Sequence, residues 1–338
     1  MKRLGARPII LCKPGSKLGE RAAGAGIEVR THPMRSNRDI SALLYAMKVI
    51  KEDSVDVVNT HSGDDSFICA IAGRLSARKP VIVRTRHLAL PITSKTTYSL
   101  FPHRVVTVSE FVRRYLVDEV GIPGNKVTAV ATGIDLARFD PSTVPDTLRA
   151  ELGVSPSTLI VGTVAILRRK KGHHLLLEAI PEIIKECDGA LFVFAGDGPQ
   201  RENIEERIRD LGIGKSVRLL GLRKDIPTVL KGLDIFVLPT LQEALGTSIL
   251  EASAMRKPVI GTSVGGVPEA IKDGVTGLLV APEDSKGLAN AIIKLLKDAA
   301  LRRRMGDEGR AMVEAGYSTE KMVEKMHKVY TELLAARR

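Results

Sequence analysis

Short apolar runs rich in Val and Ile alternate along most of the chain with longer segments whose apolar positions recur at helical spacing. That alternation predicts βα units around a parallel sheet. Strands are expected at residues 8–12, 27–31, 55–60, 80–85, 104–108 and 126–130, with helices over 39–51, 65–74 and 110–119. After Asp140 the run Pro-Ser-Thr-Val-Pro-Asp holds turn formers without apolar periodicity, the texture of a connection between domains. The boundary is placed near residue 155. A second series of strands then follows at 159–164, 190–194, 217–220, 235–239, 259–262 and 277–280, and the last fifty residues read as helices broken at 316–318.

Two βα series in succession predict an α/β chain of two Rossmann-like domains, 1–155 and 156–316, with 317–338 as a C-terminal helix packing back toward the first. The length of 338 residues agrees with about two domains. Composition narrows the class without choosing a function: 44% apolar and 27% charged residues exclude collagen, coiled coil and wholesale disorder. Cys12, Cys69 and Cys187 lie too far apart to write a disulfide framework or a metal-ligand cluster, which points to a reducing compartment. No apolar stretch approaches a membrane span, and the basic start lacks the apolar core of a secretory signal, so the chain reads as cytoplasmic. Trp is absent and aromatic residues make up 4%, which argues against nucleic acid as a partner.

The net charge of +12 implies an anionic partner or a strongly solvated surface. Its distribution is uneven. Residues 1–150 carry 23 basic and 14 acidic groups, whereas 151–338 carry 28 and 25. The excess therefore belongs to the first domain, where it serves either solubility or the holding of an anionic acceptor or membrane face.

Candidate chemistry gathers at the carboxyl ends of the expected strands, the edge where α/β sheets bind ligands. Between Pro239 and Ile271 a strand leads through Glu243 to Gly246, and a helix begins at Thr247 and Ser248. A strand, a glycine and a helix start leave backbone N–H groups free for a phosphate. Glu251 follows Glu243 by eight positions, so the two carboxylates are expected to have separate tasks, unless both are merely solvated helix acids. Four consecutive cations, Arg168 to Lys171, occupy a strand-to-helix turn suited to a diphosphate. Gly196 and Gly198 flank Asp197 after another strand, where they permit close approach of a ligand or simply make a tight turn. Gly265-Gly266 reads as a flexible loop opening a helix. In the first domain His61, Ser62 and Asp64 follow one strand, and Arg84, Arg86 and His87 end the next, which sets both runs at that ligand-binding edge.

The Glu243-x7-Glu251 segment, followed by Lys257-Pro258-Val259-Ile260 and Gly265-Gly266-x-Pro268-Glu269, resembles the signature of retaining family-4 glycosyltransferases of the GT-B fold. The resemblance runs back through GDGP, the basic KG turn, ATGID and RTRH, and covers essentially the whole chain. It implies two Rossmann-like domains facing each other across a cleft and transfer of a sugar from a nucleotide-diphosphate sugar, a co-substrate, with no cofactor and no required metal. By the same resemblance Glu243 and His87 stand nearest the reaction, Lys171 grips the diphosphate, the N–H groups of Gly246, Thr247 and Ser248 cap it, Glu251 meets the ribose, and Gly133 lines the cleft. Residues 222–225 are expected to border the base.

Two departures qualify the match. Ile166 stands where the family often has an arginine, which leaves Arg168 or Arg169 to bind phosphate in its place. Residues 1–6 resemble the end of a helix, so the first domain is expected to lack its opening βα unit. The acceptor expected from the basic first domain is a lipid-linked or lipopolysaccharide-type glycan, met by peripheral contact with an anionic membrane face. The alternatives are a catalytically silent nucleotide-sugar-binding protein and a nucleotide-sugar epimerase of similar fold.

Overall fold

The computed structural model describes Met1, residues 4–92 and residues 94–337. Its internal contacts divide it into two compact units, Met1–Val130 with Met322–Arg338, and Ala131–Lys321.

The first unit alternates β1 (Ile9–Cys12), α1 (Lys17–Gly24), β2 (Glu28–Thr31), α2 (Ile40–Glu52), β3 (Val57–Thr60), α3 (Gly63–Leu75), β4 (Val81–Arg86), α4 (Thr96–Ser99), β5 (Arg104–Thr107), α5 (Glu110–Arg114) and β6 (Val127–Ala129). Every pairing is parallel, with β1 on β2 in one sheet and β3-β4-β5-β6 in a second. A strand covered on both faces buries a continuous apolar run, and β4 does so with Val81, Ile82 and Val83. By contrast β1 and β3 are half-buried until their last residue, and each keeps one edge without a strand partner among the described residues. Leu11 of β1 and Val58 of β3 share one apolar cluster with Ala46 and Ile50 of α2 and Cys69 and Ala72 of α3.

The two faces of β4 differ in character because side chains alternate along a strand. Val81 and Val83 pack with Val106 and with Val329, Met326 and Leu333 of the C-terminal residues, and Asn59 donates to the Tyr330 hydroxyl at 2.8 Å. Arg84 and Arg86 consequently lie on the opposite face. The helix expected over 110–119 is regular only to Arg114; Tyr115–Glu119 winds as a wider π turn, in which Val120 N donates to Tyr115 O at 3.1 Å.

The second unit contains α6 (Leu148–Leu152), β7 (Ile160–Val164), α7 (His173–Glu186), β8 (Leu191–Ala195), α8 (Arg201–Asp210), β9 (Val217–Gly221), α9 (Ile226–Gly232), β10 (Ile235–Leu238) and α10 (Thr247–Ala254). It continues through β11 (Val259–Thr262), α11 (Val267–Ala270), β12 (Gly277–Val280), α12 (Ser285–Lys297), α13 (Ala299–Gly316) and the first turn of α14 (Thr319–Ala335). Its six parallel strands run β12-β11-β10-β7-β8-β9. The chain winds outward from β7 to β9 and returns to place β10 on the other side of β7, so the strand order reverses between β7 and β10. A crevice opens at such a switch point, outside the carboxyl ends of the two strands. Apolar clusters cover both faces of this sheet, and β8, β10 and β11 are buried throughout.

The division at Val130 differs from the boundary expected near 155. Ile134, Phe139 and Leu148 are buried in the second unit's core beside Leu230 and Phe236. Arg149 donates to Gly232 O at 3.0 Å and pairs with Asp234, which also accepts from Ile160 N at 2.7 Å. The turn-rich run is thus a surface excursion of the second unit, fastened at both sides by buried apolar residues.

Candidate active site

The loops after β7 and β10 flank the switch point and are tied to each other by backbone. Lys170 O accepts from Leu241 N at 2.7 Å and from the Thr240 hydroxyl at 2.9 Å. That tie brings Lys171 Nζ into an ion pair with Glu243 Oε2, with each side chain only 16% exposed. The other Glu243 oxygen accepts from Ala244 N at 3.2 Å. From the far side, a Cβ on Gly265 would lie 2.0 Å from Glu243 O, and one on Gly266 2.0 Å from Ala244 O. Gly266 N also donates to Glu243 O at 3.1 Å. The glycine pair expected to be a flexible loop is therefore a close backbone contact that fixes Glu243.

Gly246, at φ +89°, is the N-cap residue of α10 and, having no side chain, supplies none of the hydrogen bonds that a Ser or Asp cap would give. Ile249 N and Leu250 N already donate to Gly246 O, which leaves the N–H groups of Gly246, Thr247 and Ser248 outside the helical ladder. The other end of α10 is anchored by Arg310, which donates to Ala254 O at 2.8 Å and Phe139 O at 2.7 Å. On α10, burial pushes the Glu251 carboxyl up to about 7 against the opposing pull of Arg138. Glu243 and Glu251 thus have different partners and different electrostatic surroundings.

Other expected site residues of this unit are placed differently. A Cβ on Gly196 would lie 1.9 Å from Ala165 O and one on Gly198 2.7 Å from Leu167 O, so both glycines serve approach of chain to chain. Arg168 lines a separate pocket with residues of α7 and α8. A Cβ on Gly133 would meet the Ser318–Thr319 backbone within 2.6–2.8 Å. In the segment 222–225, Leu222 is 79% exposed, while Arg223 is held by Glu151 and by Asp225 at 2.8 Å.

In the first unit, His61 Nδ1 and His87 Nε2 are hydrogen-bonded at 2.9 Å, with the rings stacked at 5.2 Å. Burial is the larger cause holding both imidazoles below their ordinary range, and for His87 the neighbouring His61 adds to it. Ser62 is the N-cap of α3, and Asp65 accepts from His61 N at 3.0 Å and Ser62 N at 2.8 Å. The Asp64 side chain lies outside the described residues. Arg84 is buried with its guanidinium 3.6 Å above the Tyr98 ring, and its Nη1 has no hydrogen-bond partner. Arg86 donates to Leu88 O at 2.9 Å and Leu90 O at 2.6 Å, holding the loop behind His87. Sequence reasoning placed Asp65 in the polar run after the strand without giving it a task, and passed over Tyr98. The Ser62-x-x-Asp65 spacing carries a capping signal for the first, whereas only the fold places Tyr98 beneath Arg84.

A cation, a half-buried carboxylate and a helix start without a capping side chain at one strand switch can hold a diphosphate and stabilise charge that develops on it. Among the described residues no group of three or more His, Cys, Asp or Glu is placed to hold a metal, and no helix is long and apolar enough to cross a membrane.

Comparison with known proteins identifies the family. Residues 145–312 match the family described as "Glycosyl transferases group 1", and residues 1–138 match "Glycosyltransferase Family 4". The chain is 27% identical over 313 residues to UDP-Gal:alpha-D-GlcNAc-diphosphoundecaprenol alpha-1,3-galactosyltransferase of Escherichia coli, covering 88% of this chain and 80% of that one. It is 28% identical over 306 residues to N-acetyl-alpha-D-glucosaminyl L-malate synthase of Bacillus anthracis, with the same coverage of each. Among solved structures, a glycosyltransferase from Rickettsia africae ESF-5 superposes with a TM-score of 0.90 at 26% identity, covering 98% of this chain and 92% of that one. With both halves matched and the parallel-sheet architecture shared, the chain belongs to the family-4 glycosyltransferases of the GT-B fold.

Proposed function

We propose that this glycosyltransferase moves a sugar, with retention at the anomeric carbon, from a nucleotide-diphosphate sugar to a lipid-linked or lipopolysaccharide-type glycan. The observation that carries the donor half is the Lys171–Glu243 ion pair beside the start of α10, which has no capping side chain. In the reaction the bond between the anomeric carbon and the leaving phosphate oxygen breaks with its electron pair staying on the diphosphate, an acceptor hydroxyl oxygen forms the new bond to that carbon on the same face, and the hydroxyl proton leaves with the diphosphate. Lys171 and the N–H groups of Gly246, Thr247 and Ser248 meet that charge, while Glu243, released from Lys171, faces the sugar. Glu251 accepts from the ribose hydroxyls. None of these roles needs a bound metal.

The first unit supplies the acceptor half through His61, Ser62, Asp64, Arg84, Arg86 and His87. Its basic surplus, 25 Lys and Arg against 13 Asp and Glu over residues 1–130 and 322–338, suits a phosphorylated lipid carrier and peripheral contact with the inner membrane face. The Escherichia coli relative is named for a diphosphoundecaprenol-linked acceptor, which supports this choice.

The test is a thermal-shift panel of nucleoside diphosphates, followed by transfer from the matching nucleotide sugars to an undecaprenyl-diphosphate-linked acceptor in the presence of a chelator. Saturable stabilisation by one diphosphate that is lost in Lys171→Met, with an α-linked product from an α-linked donor, supports the proposal. Nucleotide binding without transfer to any lipid-linked or lipopolysaccharide-type acceptor, or an inverted product, overturns it.

A further inference from the structure

β1 and β2 pair in parallel with Cys12 opposite Thr31, so the segments that follow them leave the sheet side by side at one edge. His32 N donates to Cys12 O at 3.0 Å and ties the two together. This edge carries aliphatic side chains where polar ones are expected. Leu18, in the first turn of α1, is 59% exposed, and Ile40 and Leu44, one turn apart at the start of α2, are 70% and 61% exposed. The inner face of α2 is already supplied by Ala42, Ala46, Val49 and Ile50, all buried. Ile40 and Leu44 therefore occupy the face that a surface helix ordinarily gives to charged residues. Beside them Tyr45 stacks on His32 with ring centroids 5.2 Å apart.

The same edge is basic. Lys13 and Lys17 after β1, and Arg35 and Arg38 after β2, are all exposed. Within residues 13–18 and 32–44 the single carboxylate is Asp39. Both its oxygens are engaged at the start of α2: Oδ1 accepts from Ala42 N at 3.0 Å and the Ser41 hydroxyl at 2.6 Å, and Oδ2 from Arg35 N at 3.0 Å. One exposed aliphatic is ordinary, but three at one edge, interleaved with four cations, fit an anionic lipid surface. Headgroups meet the cations while the aliphatic side chains reach the acyl boundary. A second copy of the chain would instead set these cations against their own kind.

We propose that this edge of the first unit is its bilayer contact, with Leu18, Ile40 and Leu44 entering the acyl boundary of an anionic leaflet and the four flanking cations meeting its headgroups. The surface rests on the lipid-linked acceptor proposed above and names the residues that bring the enzyme to it.

The test floats the full chain on mixed phosphatidylglycerol and phosphatidylcholine vesicles and on phosphatidylcholine alone, with retention expected on the anionic vesicles only. Ile40→Ser/Leu44→Ser and Arg35→Gln/Arg38→Gln should each lower partitioning about tenfold or more at an unchanged melting temperature. Leu75→Ser/Leu100→Ser alters equally exposed leucines that precede β4 and β5 at their amino ends, and should partition like wild type. Because the chain has no Trp, Leu44→Trp supplies a single reporter whose emission should shift to the blue and be quenched by brominated acyl chains. Partitioning retained in both edge variants, or a Leu44→Trp reporter that brominated lipid does not quench, overturns this surface and leaves membrane contact elsewhere on the chain standing. No retention of the wild type on anionic vesicles overturns the surface and the membrane contact together, while the diphosphate panel still judges the donor half. A sedimentation mass that falls from two chains to one in Ile40→Ser/Leu44→Ser assigns the face to a second copy and overturns the bilayer as its occupant.

Discussion

Lys171 and Glu243 are 72 positions apart in sequence and form an ion pair across the switch between β7 and β10, each side chain 16% exposed. A diphosphate that claims Lys171 competes with Glu243 for one ammonium, so binding is expected to loosen the carboxylate. Lys171→Met is expected to weaken nucleoside diphosphate affinity about 10–100-fold, the span of a charge-assisted hydrogen bond. Glu243→Gln removes the competitor; affinity should hold or tighten while kcat falls by about 100-fold. Calorimetry and initial rates on the two variants check this. Equal loss of affinity in both would show that no exchange of partners occurs.

Gly266→Ala tests whether the glycine pair fixes Glu243 by close approach. The backbone at Gly266 has φ −88°, which alanine adopts freely, but its Cβ would lie 2.0 Å from Ala244 O. The loop must move, at about 1–3 kcal/mol of stability by analogy with overpacking, and turnover should fall with it. Gly274→Ala is the control: its φ of +72° strains alanine, yet nothing lies within 4 Å of the added atom. Stability should drop there without a matching loss of turnover, measured by melting and by kcat.

Most strands were legible because they are compact apolar runs, many of them led by Val and Ile, and a parallel sheet covered on both faces leaves little else for such runs to be. Residues 131–155 were not. Ile134, Phe139 and Leu148 are isolated apolar positions without periodicity, and their burial depends on partners such as Leu230 and Phe236 about 80–100 residues away. Local texture made this stretch look like a linker. Gly265 and Gly266 show the same limit: sequence marks them as places where a side chain is unwelcome, but not that the crowding comes from the carbonyls of Glu243 and Ala244. Likewise the basic turn announced an anion, whereas only the fold separates Lys171, facing Glu243, from Arg168, facing α7 and α8.

Glu251 gives a pH dependence of stability with a definite sign. Burial raises its carboxyl from 4.5 unfolded to about 7 folded. Below the unfolded value both states are neutral and nothing is lost; as pH rises toward the folded value the unfolded chain ionises more readily, so this group progressively destabilises the fold. Glu251→Gln, which cannot ionise, should melt higher than wild type at pH 8 and nearly level with it at pH 4.5. The same variant should bind nucleotide more weakly at pH 8, because its amide is a poorer acceptor for ribose hydroxyls. A melting difference independent of pH would place the carboxyl in ordinary solvent.

The His61–His87 pair makes the last expectation. With Nδ1 and Nε2 at 2.9 Å, one ring donates and the other accepts, and a doubly charged pair is disfavoured both by burial and by mutual repulsion. Both imidazoles are held below their ordinary range, so near neutrality His87 is uncharged and can accept a proton. Replacing His61 with Asn keeps much of the burial but removes the repulsion. His87 should then titrate at higher pH, part of the way back to the usual imidazole value because burial is the larger cause. The acid limb of the kcat/KM profile should move in the same direction, toward neutral pH. Imidazole NMR titration of His87 in wild type and His61→Asn reads the first shift, and the rate profile the second. A moved His87 titration with an unmoved rate profile would remove His87 from the proton-accepting role while leaving the pair intact as a structural contact.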